Sequence, residues 1–414
     1  MAKFGIALGS GPRGLGFESR YSDHNSGDHI CGCRFFYPKK STYKEVCLLK
    51  KIIAFIKKEA VLSIAAVCAL ATMFFIPPDK EYLHYIDFRV LALLMCLMVV
   101  VAGFKGVGLF QSLTSQLLKR VRNGRLLGIT LVMLPFFSSM LVTNDVALIV
   151  FIPFTINLLL QLGCGKNIVP VIVLQTIAAN LGSMATPVGN PQNLYLYAAY
   201  NLSGADFFRV VLPLTGVSFL ALCAAAFFCL PNNLPSTHSE ADSITSPKKL
   251  LLYIGLFILC LLTVFRAVHY IVTTVVVIAV IFMADRKLLK EIDFMLLLTF
   301  VCFFVVSENL GRLDPVRLFL QSLLERSALL TAIGASQVIS NVPAAVLLSG
   351  FTDQWQALLA GVNIGGLGTP IASLASLITL KLYMGSGNAK IGHFLLCFTL
   401  FNICGLIILL LFSI

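Results

Sequence analysis

Long apolar runs alternate with short polar or basic gaps along most of the chain. A helix needs about 20 apolar residues to cross the hydrocarbon core of a bilayer, and runs of that order occupy 60–77, 86–104, 207–230, 249–267, 268–285, 292–308 and 392–413. Each predicts a spanning helix. Four more apolar stretches, 125–162, 168–200, 326–352 and 355–384, are interrupted near the middle by Gly, Pro or polar residues. Irregular backbone at membrane depth survives only where protein covers it or where it lines a water-filled cavity. These four stretches therefore predict two hairpins (125–162 and 326–352) and two broken helices (168–200 and 355–384) gathered around one interior.

Composition narrows the class. The chain has 414 residues, 58% of them hydrophobic and 12% charged, with a mean hydropathy of +0.91, whereas an ordinary globular chain is about one quarter charged. That excludes a soluble domain and makes the lipid bilayer the first expected partner. The net charge of +12 does not mark a nucleic-acid protein, because Lys and Arg sit in the gaps between apolar runs and not in a patch interleaved with aromatic residues. Of the twelve cysteines, Cys68, Cys96, Cys223, Cys229, Cys260, Cys302 and Cys397 lie inside apolar runs as small hydrophobes. Cys31 and Cys33 have no second pair at zinc spacing, so neither a structural metal nor a cofactor is expected.

Residues 1–50 form a polar leader, expected to be disordered, without the apolar core of a signal peptide. Lys50, Lys51, Lys57 and Lys58 abut the first span and set the N-terminus in the cytoplasm by the positive-inside rule. If each hairpin enters and leaves on one face, the loop of Lys105, Lys119, Arg120, Arg122 and Arg125, a cytoplasmic linker over 231–248, the group Arg286, Lys287 and Lys290, and Lys390 all fall inside. The loop of Arg312, Arg317 and Arg326 falls outside, against the rule, with Asp314 and Glu325 as offsets. The expected location is the cell (inner or plasma) membrane, crossed many times.

The chain repeats itself. Ile86-Asp87-Phe88 recurs as Ile292-Asp293-Phe294, and Gln111-Ser112-Leu113 as Gln321-Ser322-Leu323. Thr143-Asn144 aligns with Ser340-Asn341. Asn180-Leu181-Gly182 with Thr186-Pro187 aligns with Asn363-Ile364-Gly365 with Thr369-Pro370 at the same internal spacing. Four matches in one order imply a duplicated unit: repeat 1 over 51–230 and repeat 2 over 249–414. The span opening at Ile86 runs inward and the one at Ile292 outward, so the copies are inverted, as in many secondary transporters. The predicted fold class is an all-α polytopic membrane protein of two inverted repeats with re-entrant helical hairpins and discontinuous transmembrane helices.

The interruptions carry the chemistry. Ser138, Ser139, Thr143, Asn144 and Asp145 break the first hairpin; Ser336, Gln337, Ser340 and Asn341, followed by Pro343, break the second. Hydroxyls, amides and freed carbonyls can ligate a small cation, and half-helix N-termini can face an anion. Small polar residues also glue helices together, which would suffice for one such motif but explains a matched pair poorly. In the broken helices, proline removes a backbone donor and glycine lets backbone approach closely. Asp145 is the acid at membrane depth, where a carboxylate costs ~2.5 to 3.5 kcal/mol on insertion scales; it is a candidate cation ligand or proton carrier. Glu308 reads as interfacial, and His269 and His393 as residues flanking spans.

At these residues the chain resembles the ion transporter superfamily: divalent anion/sodium symporters, citrate transporter-like permeases, arsenite efflux permeases and a class of sodium/proton antiporters. Thr143-Asn144-Asp145-Val146-Ala147 with Gly189-Asn190-Pro191-Gln192-Asn193 is most similar to the citrate transporter-like permeases. The resemblance implies that Thr143, Asn144, Thr186, Pro187, Asn190, Ser340, Asn341, Thr369 and Pro370 face the substrate. Ser139, Asp145, Asn180, Gly182, Ser336, Asn363 and Gly365 would serve the coupling ion, with Na⁺ a candidate at the hairpin tips. Where the dicarboxylate symporters carry Ser-Asn-Thr at both tips, this chain has Asp145 and Val342 in third place. A homodimer, moving a transport domain against a scaffold, is also implied.

The expected function is secondary active transport of a small anion, a di- or tricarboxylate or an inorganic one, coupled to Na⁺ or H⁺ by alternating access. The alternative is an arsenite-type efflux permease or sodium/proton antiporter of the same fold. An enzyme is not expected, since no His-Glu-x-x-His, paired-aspartate metal motif or triad is present.

Overall fold

The computed structural model describes residues 59–118, 123–232, 246–386 and 389–413. The leader over 1–50, most of the linker over 231–248 and the cations Lys119, Arg120 and Arg122 lie outside the described residues. Within the described residues the chain is helical throughout, with no strand.

The first helix, α1 (Ala60–Phe75), leads through the short α2 (Tyr82–Tyr85) to α3 (Phe88–Gly106) and α4 (Leu109–Leu118). The first hairpin follows as α5 (Gly124–Ser138) and α6 (Asn144–Gln161), and the first broken helix as α7 (Ile168–Ser183) and α8 (Pro191–Ala199), closed by α9 (Gly204–Phe227). After the linker come α10 (Pro247–Val264) and α11 (Tyr270–Ala284), then α12 (Phe294–Gly311) and α13 (Asp314–Ile339). The second hairpin turns from α13 into α14 (Asn341–Ser349), the second broken helix is α15 (Trp355–Ile364) and α16 (Leu374–Met384), and α17 (Ile391–Ser413) ends the chain.

Six of these helices are long and apolar enough to cross a membrane, and they turn apolar side chains outward: Leu220 of α9, Leu251 of α10 and Leu411 of α17 are 68%, 71% and 73% exposed. A surface of that kind is stable against lipid and not against water.

The order of elements repeats in register. The Ile-Asp-Phe motifs open α3 and α12 with one geometry: Asp87 Oδ1 accepts from the Val90 amide at 3.0 Å, and Asp293 Oδ1 from the Leu296 amide at 2.9 Å. Each aspartate thus closes an orphan donor at a helix start, a cap worth about 1 kcal/mol. The Gln-Ser-Leu motifs fall in α4 and in the first half of α13. A break at Ser327, whose Oγ accepts from the Leu330 amide, divides α13 so that its second half matches α5. The hairpin expected over 326–352 thus joins the preceding helix end to end, and α4 was not foreseen in the apolar pattern because it is short.

The copies are packed reciprocally. The long helix preceding the Ile-Asp-Phe motif of each copy lies on the helix that this motif opens in the other, α1 on α12 and α11 on α3, with α10 beside α3 as well. At the centre, α6 packs on α16 and α14 on α8, again each from opposite copies. The arginine loop that counted against the topology is largely neutralised: Arg312 binds Asp79 at 2.9 Å and Glu81 at 3.5 Å, and Arg317 binds Asp314. The Arg312 guanidinium holds the Asp79 carboxyl below its usual range.

Hairpins and broken helices meet at small residues. A Cβ on Gly361 of α15 would lie 2.7 Å from Ala332 Cβ and 2.8 Å from the Leu329 carbonyl of α13. Backbone cannot yield as a long side chain can, so Gly361→Ala should lower stability by about 1 to 3 kcal/mol. Gly216→Ala, where nothing lies within 4 Å of the new Cβ, should leave it unchanged. Thermal unfolding in detergent of the two variants beside the parent checks this; equal midpoints would refute the close contact.

Candidate substrate and ion site

Eight helix ends converge where the two hairpins face the two broken helices. The C-termini of α5, α7, α13 and α15 and the N-termini of α6, α8, α14 and α16 lie at these four breaks. Every such end leaves orphan carbonyls or amides, and the side chains between them are those that can answer both. Asn144, Asn180, Asn190, Asn193, Asn341 and Asn363 are all at most 6% exposed.

One set of contacts ties each hairpin to the broken helix of its own copy. Thr186 Oγ1 donates to the Met140 carbonyl at 2.5 Å, and Thr369 Oγ1 to the Gln337 carbonyl at 3.2 Å. The two Thr-Pro motifs therefore do the same work. Proline, with no amide to place, follows each threonine at the break. Gly182 and Gly365 correspond in the same way: a Cβ at Gly182 would strike the Phe136 carbonyl and Ser139 Oγ, and one at Gly365 would strike Ser336. Ser139 and Ser336 are fully buried and return their hydroxyls to their own helices, at Phe136 and Ala332.

A second set crosses between copies. Asn190 caps α8 and donates to Asn363 Oδ1 at 3.2 Å; Ser373, ten residues past Asn363 as Asn190 is past Asn180, stands just before α16 and turns its hydroxyl away from that helix to donate to Asn180 Oδ1 at 3.0 Å. Asn363 Nδ2 in turn donates to Asn193 at 2.7 Å. The first tip joins through Asn144 Nδ2 to Asn180 Oδ1 at 2.9 Å, and the second through the Asn341 amide to the Ala372 carbonyl at 2.9 Å. The tips at Asn144 and Asn341 thus share one centre, bridged by Asn180, Ala372 and Ser373.

Of the residues expected at the site, Asn144, Asn180, Asn190, Asn341 and Asn363 are drawn into this network, and Ser340 lies on it through Ala372. Thr143 ends the first turn as the residue preceding α6, with no side-chain bond at that cap. Pro187 and Pro370 sit in the breaks, and Thr369 is exposed. Gln337 is more central than its place in the motif suggested: its side chain donates to the Gly365 and Leu367 carbonyls, both at 2.9 Å, and accepts from the Thr369 amide at 2.8 Å. Thr176 and Thr379, bonded to each other at 2.7 Å across α7 and α16, were missed; their signal was a hydroxyl one helical turn from Asn180 and from Ser376 in an apolar run.

Two buried polar atoms here lack a partner, Asp145 Oδ1 and Ser376 Oγ. An orphan of this kind costs about 1 to 3 kcal/mol, so each marks a place where a ligand would be stabilised. No Lys or Arg takes part in the hydrogen-bond network among the described residues. Glu308, near the end of α12, lines a polar cavity of about 270 Å³ with His84, Asp87 and Tyr195. His269 caps α11, and His393 is exposed. No cluster of three His, Cys, Asp or Glu side chains occurs among the described residues.

The tips differ in strain. Thr143 has φ −62°, whereas Ser340 has φ 72° and ψ 155°, a region in which residues other than glycine pay about 1 to 3 kcal/mol. Ser340→Gly should therefore unfold later than Ser340→Ala by about that amount, since both lose the hydroxyl and only the first relieves the backbone. Chemical denaturation of the two variants is the measurement, and the reverse order would refute the strain.

Comparison with known proteins adds the lineage. The profile of a family described as "Citrate transporter" matches residues 52–357. An uncharacterized transporter of Methanocaldococcus jannaschii is 34% identical over 80% of this chain and 90% of its own, and the Escherichia coli inner membrane protein YbiR is 32% identical over 75% and 84%. A silicon efflux transporter of rice, LSI3, is 35% identical over 33% of this chain and 28% of its own. Among solved structures, the YdaH transporter of Alcanivorax borkumensis aligns over 80% of this chain and 86% of its own with a TM-score of 0.46 and 13% identity.

Proposed function

Because the chain belongs to the citrate transporter family, a family of membrane transporters, we propose that it moves a small anion across the membrane by alternating access, coupled to Na⁺ or H⁺. The observation that carries this reading is the convergence of four half-helix N-termini and four C-termini on one buried, uncharged amide cage. N-terminal amides carry about half a positive charge and favour an anion, while the opposed carbonyls favour a cation. One cage can thus hold both, and neither side chain nor cofactor need supply a fixed countercharge.

Coupling follows from magnitude. Importing two negative charges against ~100 mV, inside negative, costs about 4.6 kcal/mol at ~2.3 kcal/mol per charge, and two or more cations moving with them offset it. The reciprocal packing supports inverted copies, in which the first hairpin opens to the cytoplasm and the second to the other face. A homodimer, with a transport domain moving against a scaffold, belongs to the same reading.

A second reading has Asp145 in its favour. A carboxylate with an unpartnered, buried oxygen at the first tip suits proton exchange, as in an arsenite-type efflux permease or a sodium/proton antiporter of the same fold, and the partial likeness to a silicon efflux transporter favours efflux.

Flux in proteoliposomes tests both. Uptake of citrate, succinate or sulfate should require a Na⁺ or H⁺ gradient, and Asn144→Ala and Asn341→Ala should each reduce it about tenfold or more, each losing a buried amide partner. Uptake indifferent to both gradients would refute the coupled reading. Proton movement without any organic or inorganic anion, abolished by Asp145→Asn, would replace it with the second.

A further inference from the structure

We propose that the groove between α6 and α16 is the vestibule through which the anion reaches the hairpin tips, and that Lys381 is its charge-selecting residue. The inference rests on the anion reading above.

The groove holds about 610 Å³ and is lined by Ile149, Pro153 and Ile156 on α6 and by Ile378 and Lys381 on α16, with Ser386 beyond the end of α16. Both helices begin at the candidate site, α6 after Thr143 and α16 after Ser373, and they pack side by side as they leave it. The cavity they enclose is therefore aligned with a path outward from the tips. At about 1.5 Å per residue, Ile149 lies roughly 7.5 Å from Asn144 along α6 and Asn157 roughly 20 Å. Ile149, Pro153 and Ile156 continue the face of α6 on which Asp145 stands one turn earlier.

Lys381 is the charged residue of this lining. It is exposed and forms no ion pair among the described residues. Apolar walls of low dielectric focus the field of such a cation and raise the local concentration of anions. The path then presents a positive charge in the groove and the carboxylate of Asp145 at its inner end, so an anion is drawn in and must meet its coupling cation at the tip. A lysine that merely reaches past the groove to lipid headgroups would leave the same cavity filled by acyl chains and closed to water-soluble reagents.

The test needs no knowledge of the substrate. In the full chain in lipid nanodiscs, Ile149→Cys is reacted with a sulfonate-bearing and with a trimethylammonium-bearing methanethiosulfonate, and labelling at that position is read by peptide mass spectrometry; Ile378→Cys serves as a second probe should the first fold poorly. Both reagents should label, and the ratio of the anionic to the cationic rate should fall about tenfold on adding Lys381→Glu and stay in place with Lys381→Arg. No labelling by either reagent, or a ratio unmoved by charge reversal, overturns the proposal. In proteoliposomes Lys381→Ala should raise the KM for the anion with kcat nearly unchanged, and an unchanged KM overturns it too. A parent protein that moves no anion, with the labelling ratio still reversed by Lys381→Glu, upholds the charged vestibule and overturns the anion as its cargo.

Discussion

A helix that stops inside a membrane leaves amides and carbonyls that lipid cannot answer, and that constraint shapes the centre of this protein. Eight such ends meet there. Asparagine is the short side chain that both donates and accepts, and so can serve a carbonyl pole and an amide pole together. Asn180 shows the use: it accepts from Asn144 and Ser373 with one oxygen. Asn363 shows the converse, donating to Asn193 and to the Leu359 carbonyl while accepting from Asn190. Because the cage is built of neutral amides, the helix poles keep their field, which is what the proposed binding of an anion and a cation together requires.

The same bonds explain why neither copy is a site alone. Ser373 of the second copy reaches Asn180 of the first, and Asn190 of the first reaches Asn363 of the second. Breaking these bonds would leave Ser373 Oγ and Asn363 Oδ1 without partners, at about 1 to 3 kcal/mol each, while Asn180 would keep Asn144 and Asn190 would keep Ser183. The outer exchange, α1 on α12 and α11 on α3, holds the copies in the register that the inner bonds require.

Duplication made the site legible in the sequence. A lone Thr-Pro or Gly in an apolar run has several readings, but the second occurrence at equal spacing leaves few, and the four interrupted stretches fall within a few residues of the hairpins and broken helices observed. What stayed hidden depends on contacts that spacing does not encode. The stretch 314–326 reads as a loop, yet it is helical and runs into the hairpin with only the extended backbone of Ser327 between them. The clamp by Gln337 reaches residues about thirty positions away, and the Thr176–Thr379 bond joins opposite copies. Glu308 was read from its place at a span end, whereas its surroundings come from α2, α8 and α14 folding over it.

The departures from symmetry carry the remaining logic. The second tip is held by the three bonds of Gln337 and by a strained Ser340, while at the corresponding place the first has Met140, whose carbonyl alone is used. The first tip carries Asp145 and the second Val342. In the proposed alternating-access cycle, two identical halves would give two access states of equal energy with nothing to link an ion to the change between them. A ligand shifts such an equilibrium only by its differential affinity for the two states, and a titratable or cation-binding carboxylate placed at one tip only, on the less constrained hairpin, is a source of that difference.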